Sequence, residues 1–370
     1  MMSCRNNSSS APKSGPSVPI KLISELRSRR PGTPLSTART ALASSDNDVA
    51  KALDWLEQQA ASTGAAKQAK LASREAKQGL VGVSILADGL TKRQGAGVRA
   101  AIVELRCETD FVARTDEFKM LAQQIANSVA YFAEPLTNDE PKFATVNVDD
   151  VNEVPVVPAP DATNATNSHV TDVQTSTVRQ AIQAAISRLG ENITLHRVTS
   201  VAVDPIAPRP GQLPVHVLAS YLHGSSGASS ATTTTFESGT LAGLVLCRMS
   251  GSGKPNQQGQ DSASNAGAVV DKQDVHKLAR ALARQVVALP TTSVMGHEST
   301  KSDSGEPSTA LYDQTLMTMS SSPQFKFESG ASVKDVLEAW SRARGLGGDE
   351  AGTGFNVVDL KRWQVGEPEA

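Results

Sequence analysis

Between Pro19 and Ala60 the apolar positions recur at helical intervals in three short runs. Ile20, Ile23 and Leu26 form the first, and "RRPGTP" stops it, because Pro31 and Pro34 cannot continue a helix and Gly32 does not favour one. Ser36 or Thr37 is suited to cap a second run, with Ala38, Ala41 and Leu42 on one face. The third opens after "SSDND" and puts Val49, Leu53 and Leu56 at i, i+4 and i+7. A unit of about 40 residues can bury only a small core, so residues 19–60 are expected to be a compact three-helix recognition module.

The Ala- and Lys-rich "GAAKQAKLASREAKQG" then predicts an exposed linker helix, after which the period changes. "GLVGVSILADG" and "VRAAIVELRC" read as an antiparallel strand pair joined through "LTKRQGAG". Phe118, Leu121, Ala122, Ile125 and Val129 restore a helical stripe, which completes a first core subdomain over 61–133. Residues 134–176 carry Pro, Asn, Asp and Thr without a sustained period and are expected to be a low-complexity insertion, largely without regular structure. A second α/β half follows over 177–370. Val178, Ile182, Ala185, Ile186 and Leu189 predict a helix that turns at Gly190 into the strand "ITLHRVTSVAV". "PVHVLASYLHG" and "TLAGLVLCRMSG" supply two more strands, and Val275, Leu278, Ala279, Leu282 and Val286 another helix, ended by Pro290. "SVKDVLEAWSRARG" and "GFNVVDLKRWQVGE" close the chain as helix and strand, with insertions near 224–239, 250–270 and 296–310. The expected fold class is α+β: a three-helix module followed by two α+β subdomains with antiparallel sheets. No strict internal repeat supports a duplication.

Composition narrows what such a fold could do. Only 4% of the residues are aromatic and the formal net charge is −2, with both signs well mixed, so the basic footprint of a nucleic-acid binder is missing. Cys4, Cys107 and Cys247 are odd in number and far apart, which supports neither a disulfide framework nor paired zinc ligands. No apolar run approaches the roughly 18 residues that cross a bilayer, so a soluble chain in a reducing compartment is expected. Residues 1–18 are rich in Ser, contain Arg5 and Lys13 and lack acidic residues, which is the composition of an organellar transit peptide or of a plain disordered tail.

Enzymatic chemistry has no visible carrier. "GSGKP" resembles a phosphate-binding loop, but Arg248 stands where the first glycine should be, and Pro255 removes the donor expected after Lys254. "HEST" at 297–300 lacks the second histidine of a zinc-protease helix, since position 301 is Lys301. His169, His196, His216, His223 and His276 are scattered singly, and no nucleophile elbow is present. No cofactor or metal is expected.

The stretch "ETDFVAR" is different because it places a scarce aromatic, Phe111, between Asp110 and Arg114. Thr109 or Asp110 could cap the following helix, with Phe111, seven residues before Phe118, beginning its buried stripe. Periodicity favours that core role; the alternative is that Phe111 is presented at a loop tip to enter a partner's pocket. Residue statistics do not separate the two.

"IKLISELRSRRPGTPLSTARTALASSDNDVAKALDWL", "REAKQGLVGV", "AAIVELRCETDFVAR", "RLGENITLHRV", "ASYLHG" and "GFNVVDLKRWQVGE" occur in this order, and from about Pro19 to Glu367 the chain resembles the translation elongation factor Ts family. The resemblance implies a ubiquitin-associated-like helical module before the two-subdomain core, and a guanine-nucleotide exchange factor that releases GDP from elongation factor Tu. It implies that Asp110 and Phe111, flanked by Thr109 and Val112, press on the partner's nucleotide domain beside its magnesium and phosphates, and that Phe111 is therefore a tip and not core. "RPGTPLSTARTAL" departs from the "TGAGMMDCKKAL" of many bacterial members, and the family's "QPF" block survives only as Gln314, Thr315 and Leu316. The chain between Pro290 and Leu311 is too short for the dimerising coiled-coil hairpin of some members, so a one-to-one heterodimer is expected, with no nucleic acid and no membrane as partner. The insertions and the transit-like start point to a mitochondrial-matrix, fungal-like version. The alternative is an adaptor that binds ubiquitin-like proteins through residues 19–60.

Overall fold

The computed structural model describes residues 18–30, 33–90, 97–136, 140–157, 176–205, 215–224, 235–251, 270–296, 308–319, 325–346 and 353–368. The chain divides into two compact units, Met1–Lys70 and Leu71–Ala370.

The described residues of the first unit form three helices, α1 (Ile20–Arg29), α2 (Leu35–Ser44) and α3 (Val49–Leu71), the last of which crosses the boundary by one residue. Ile23 and Leu26 of α1, Ala38, Ala41 and Leu42 of α2, and Ala52 and Leu56 of α3 make its core; of the positions the spacing predicted, Ile20 is instead 81% exposed, and Val49 and Leu53 are only partly buried against it. The small alanines let the helices approach closely, which suits so short a chain. Two local expectations are corrected. Ser36 and Thr37 lie inside α2, whose N-cap is Pro34 and carries no side-chain hydrogen bond. Proline there has a fixed φ and no amide to leave unsatisfied, so it starts the helix without a hydroxyl cap. The linker helix expected over "GAAKQAKLASREAKQG" is the continuation of α3, and it stops at Leu71. Between α2 and α3, Asp46 and Asn47 adopt φ of 51° and 62°, a left-handed conformation that Asx residues tolerate. Asp48 then accepts from the amides of Ala50 and Lys51 at 2.9 and 3.2 Å, satisfying two otherwise open donors of α3.

The described residues of the second unit form two antiparallel sheets. The first has the order β3-β4-β2-β1-β6, built from β1 (Gln78–Asp88), β2 (Val98–Cys107), β3 (Ala144–Val146), β4 (Thr194–Val203) and β6 (Thr235–Gly239). The second has the order β5-β7-β8, from β5 (Val215–His223), β7 (Leu241–Ser250) and β8 (Gly354–Gln364). Strand β2 shows how the layers are arranged. Val98, Ala100 and Ile102 point into a core shared with Leu218, Leu244 and Leu246 of the second sheet. Ala101, Val103, Leu105 and Cys107 point the other way, onto α5 (Asp116–Phe132) and α7 (Val178–Leu189). Strand β7 repeats the pattern, with Val245, Cys247 and Met249 facing α8 (Lys272–Ala288) and α9 (Val333–Ala343). The order is therefore helices, sheet, sheet, helices, and the central strands read as near-continuous apolar runs because both of their faces are buried. Gly243 on β7 is required by this packing, since a Cβ there would lie 2.7 Å from the Ala283 carbonyl of α8.

Sequence halves and sheets do not coincide. β4 and β6 come from the second half yet pair with β2 and β1, so the boundary at 176/177 does not separate the sheets. Thr235–Gly239 is a strand although it falls in the stretch expected as an insertion at 224–239. Within 134–176, expected to lack regular structure, Ala144–Val146 pairs with β4 and α6 (Val148–Glu153) follows, capped by the Asn147 side chain. A three-residue strand and a six-residue helix are too short to give a periodic signal. The remaining residues of that stretch, 137–139 and 158–175, lie outside those described.

Candidate functional site

At the end of β2 the chain passes through Glu108 and Thr109 into α4 (Asp110–Arg114), a single helical turn. Thr109 is its N-cap: the backbone is extended there and the hydroxyl accepts from the Val112 amide at 3.3 Å. Thr115 ends α4 and begins α5. It too is extended, accepts from the Phe118 amide at 3.2 Å and donates to the Val112 carbonyl at 2.8 Å. Two threonines thus isolate one turn from the long helix behind it.

Phe111 projects from that turn and is 80% exposed, whereas Phe118 is 0% exposed in the core beneath. Asp110 and Arg114 form an ion pair at 2.9 Å along the same turn. Val112 is half-buried and packs on the core between the first sheet and its helices. The four residues singled out in the sequence are therefore adjacent, with Phe111 outward, Val112 inward and Thr109 as the hinge between strand and turn.

What holds this turn lies 82 residues away in sequence. Gly190, left-handed at φ 76°, ends α7 and delivers Glu191 to the start of α4. The Glu191 carboxylate accepts from the Thr109 amide at 3.0 Å and from its hydroxyl at 2.5 Å. In the opposite direction, the Asn192 amide donates to Glu108 at 2.7 Å, and the Asn192 side-chain amide donates to the Arg74 carbonyl. Arg188 of α7 also meets Glu117 in the first turn of α5. Charge-assisted bonds of this kind are the stronger ones, so the segment before Phe111 is fixed from both sides. Glu108, Glu191 and Asn192 were not among the residues singled out. Their only signal was that "CETDF" and "GENI" each put a carboxylate at a strand terminus.

Among the described residues the other titratable groups form no competing centre. Cys107 and Cys247 are buried free thiols. Burial, reinforced by the nearby Glu191 charge, pushes Cys107 up to about 12, and burial alone raises Cys247, so neither supplies a thiolate near neutrality. His216 is held below the usual imidazole range by burial and by Arg248. Among the described residues no group of three or more His, Cys, Asp or Glu could hold a metal ion, and no helix is long and apolar enough to cross a membrane. "HEST", Cys4, His169 and residues 252–255 of "GSGKP" lie outside the described residues.

The family model for elongation factor Ts matches residues 108–298, a span that begins at the Glu108–Phe111 turn and includes the Glu191 clamp. The chain belongs to the elongation factor Ts family. It is 36% identical over 350 residues to a mitochondrial elongation factor Ts of Coprinopsis cinerea, covering 94% of this chain and 92% of that protein. The mitochondrial elongation factor Ts of Laccaria bicolor is 33% identical over 97% of this chain and 94% of its own. That of Malassezia globosa is 36% identical over 99% and 92%. Elongation factor Ts proteins are nucleotide-exchange factors and not enzymes, and family membership implies that role here toward a GTPase of the elongation factor Tu type.

Proposed function

We propose that the chain binds mitochondrial elongation factor Tu and accelerates GDP release by inserting Phe111, with Asp110 beside it and Thr109 and Val112 setting its angle. The observation that carries this reading is an 80% exposed phenylalanine on a turn clamped at both ends. Exposure alone is common, but the backbone that carries this ring is fixed on either side by hydrogen bonds, so part of the ordering cost is met before binding. GDP is held largely through its phosphates and their magnesium ion, so an intruding ring that displaces those elements lowers nucleotide affinity. By linkage, returning nucleotide lowers affinity for the factor equally. Burying one phenylalanine supplies roughly 1.5–3 kcal/mol, about a tenfold to hundredfold change in an equilibrium, so a second contact is needed for efficient exchange. The three-helix unit, read as ubiquitin-associated-like, supplies it. The complex is one-to-one, in the mitochondrial matrix, and residues 1–18 serve as the transit peptide.

The test is release of labelled GDP from mitochondrial elongation factor Tu at catalytic amounts of factor. Wild type should accelerate release, and Phe111→Ala should lose at least tenfold of the acceleration while melting normally. Unchanged acceleration by a folded Phe111→Ala protein would remove Phe111 from the mechanism. Preferential capture of ubiquitin over elongation factor Tu would favour an adaptor instead.

A further inference from the structure

On the outer face of the second sheet, a cavity of about 410 Å³ opens between α8, α9 and the residues Thr318, Met319 and Phe325. Lys277, Arg280 and Arg284 of α8 line one wall at i, i+3 and i+7, and Arg344 lines the other. Among the described residues that line it, Asp274 is the one carboxylate facing these four cations, in a protein whose net charge is −2. Met319, Phe325 and Trp340 form the apolar part of the lining.

The two walls differ in how firmly they are held. Arg344 lies over the Trp340 ring at 4.2 Å and the Phe325 ring at 5.7 Å, and it donates to Asp274 at 2.8 Å. It is a guanidinium with its plane already fixed. Asp274 is consumed by that contact and reaches Lys277 only at 4.0 Å. Arg284 rests on Tyr221 at 5.2 Å, and neither Arg280 nor Arg284 has a carboxylate partner among the described residues. Concentrating like charge around a concave surface is unfavourable unless something offsets it, and among the described residues the one carboxylate in the lining, Asp274, is already paired with Arg344.

We propose that this cavity is a binding site for a small anion carrying two or more phosphate groups. Its volume falls within the roughly 300–1,000 Å³ usual for small-ligand sites, which favours a compact ligand over a flat macromolecular surface. The α8 cations extend over about 10 Å, since seven residues rise 1.5 Å each, too long for one phosphate and suited to a short polyphosphate. Arginine forks grip phosphate oxygens two at a time, while Lys277 adds a mobile point charge. The site is independent of Phe111, which belongs to the helix layer on the opposite sheet.

The experiment is calorimetric titration of the full chain with tripolyphosphate at low salt, with ATP, inorganic phosphate and hexaglutamate as parallel arms. Saturable one-to-one binding of tripolyphosphate is expected, at least tenfold tighter than phosphate, with ATP showing whether a nucleoside is tolerated. The double variant Arg280→Ala/Arg284→Ala should weaken it at least tenfold, while Arg39→Ala on α2 leaves it unchanged. Both α8 arginines are exposed, so folding should survive, and Arg280→Lys/Arg284→Lys, which keeps the charge and loses the forks, should bind with intermediate affinity. Absence of saturable binding, equal weakening by Arg39→Ala, or hexaglutamate binding as tightly as tripolyphosphate would each overturn the proposal, the last by pointing to an acidic protein surface.

Discussion

Phe111 and Phe118 stand seven residues apart, a spacing that would put them on one face of a continuous helix. One is 80% exposed and the other fully buried. The difference is made at Thr115, whose φ of −66° and ψ of 147° break the helix between them. Spacing carries phase information only while the backbone stays helical, and a single extended residue resets it. The heptad interval here is therefore an accident of counting across a break, and the two aromatics serve different masters: Phe118 the core, Phe111 the surface.

The sharpest way to test that contrast is to truncate each ring. Phe118→Ala should cost about 3–5 kcal/mol in equilibrium unfolding, through lost burial and the cavity left behind. Phe111→Ala should fall within about 0.5 kcal/mol of wild type, as exposed positions usually do, and show its effect in GDP release instead. If Phe111→Ala proved as destabilising as Phe118→Ala, the ring would be core in solution and the contrast would collapse.

Next in size is the clamp. Glu191→Ala removes two bonds to Thr109 and leaves the buried neighbourhood of Cys107 without its main nearby charge. Hydrogen bonds to charged groups contribute about 1.5–3 kcal/mol, and the half-buried setting places the expected loss near the lower end. Exchange should fall several-fold through a slower maximal rate, since Phe111 is still present but less well aimed. Glu191→Gln, which retains one acceptor, should recover part of both. A full-speed Glu191→Ala protein would mean that presentation of Phe111 does not depend on this carboxylate.

Much of the fold was legible because its signals are local. The α5 stripe, the paired runs of β1 and β2, and the Gly190 stop each follow from a few neighbouring residues. The three-helix unit could likewise be read from apolar spacing, apart from Ile20, which the spacing placed in its stripe and the fold leaves exposed. What could not be read is where distant segments meet. β4 and β6 are ordinary strands by sequence, and nothing in their letters says that they complete the first sheet and not the second. The same holds at the site. Thr109 was recognisable as a cap, but Glu191 acts on it across 82 residues, and only the folded chain brings the two together. The exposure of Phe111 was beyond periodicity for the reason Thr115 supplies, and it was the family resemblance that put the ring outside.

Thr115 itself should give a smaller effect. Thr115→Ala removes the cap on the Phe118 amide and the bond to the Val112 carbonyl, at a cost of about 1 kcal/mol. Amide hydrogen exchange should quicken at Phe118 before the rest of α5. Alanine also permits a continuous helix from Asp110 onward, which would swing Phe111 toward the face of Phe118, so the variant should lose exchange activity out of proportion to its stability. Retention of full activity would show that the break is set by the Glu191 clamp and not by the cap.

The smallest expected change in stability comes from the ion pair on the turn. Asp110 and Arg114 meet at 2.9 Å with both side chains well exposed, a setting in which such pairs contribute between nothing and about 1 kcal/mol. Asp110 also sits in the first turn of α4, where a negative charge is favourable, and both effects are screened by salt. Asp110→Asn should therefore lower stability slightly at low ionic strength and leave it unchanged at high ionic strength. Its activity should follow a different rule. If Asp110 touches the partner beside Phe111, GDP release slows at both ionic strengths, because a contact inside a closed interface is shielded from salt. If the deficit instead disappears with salt, Asp110 serves only to brace the turn, and the surface presented to the partner narrows to the ring of Phe111.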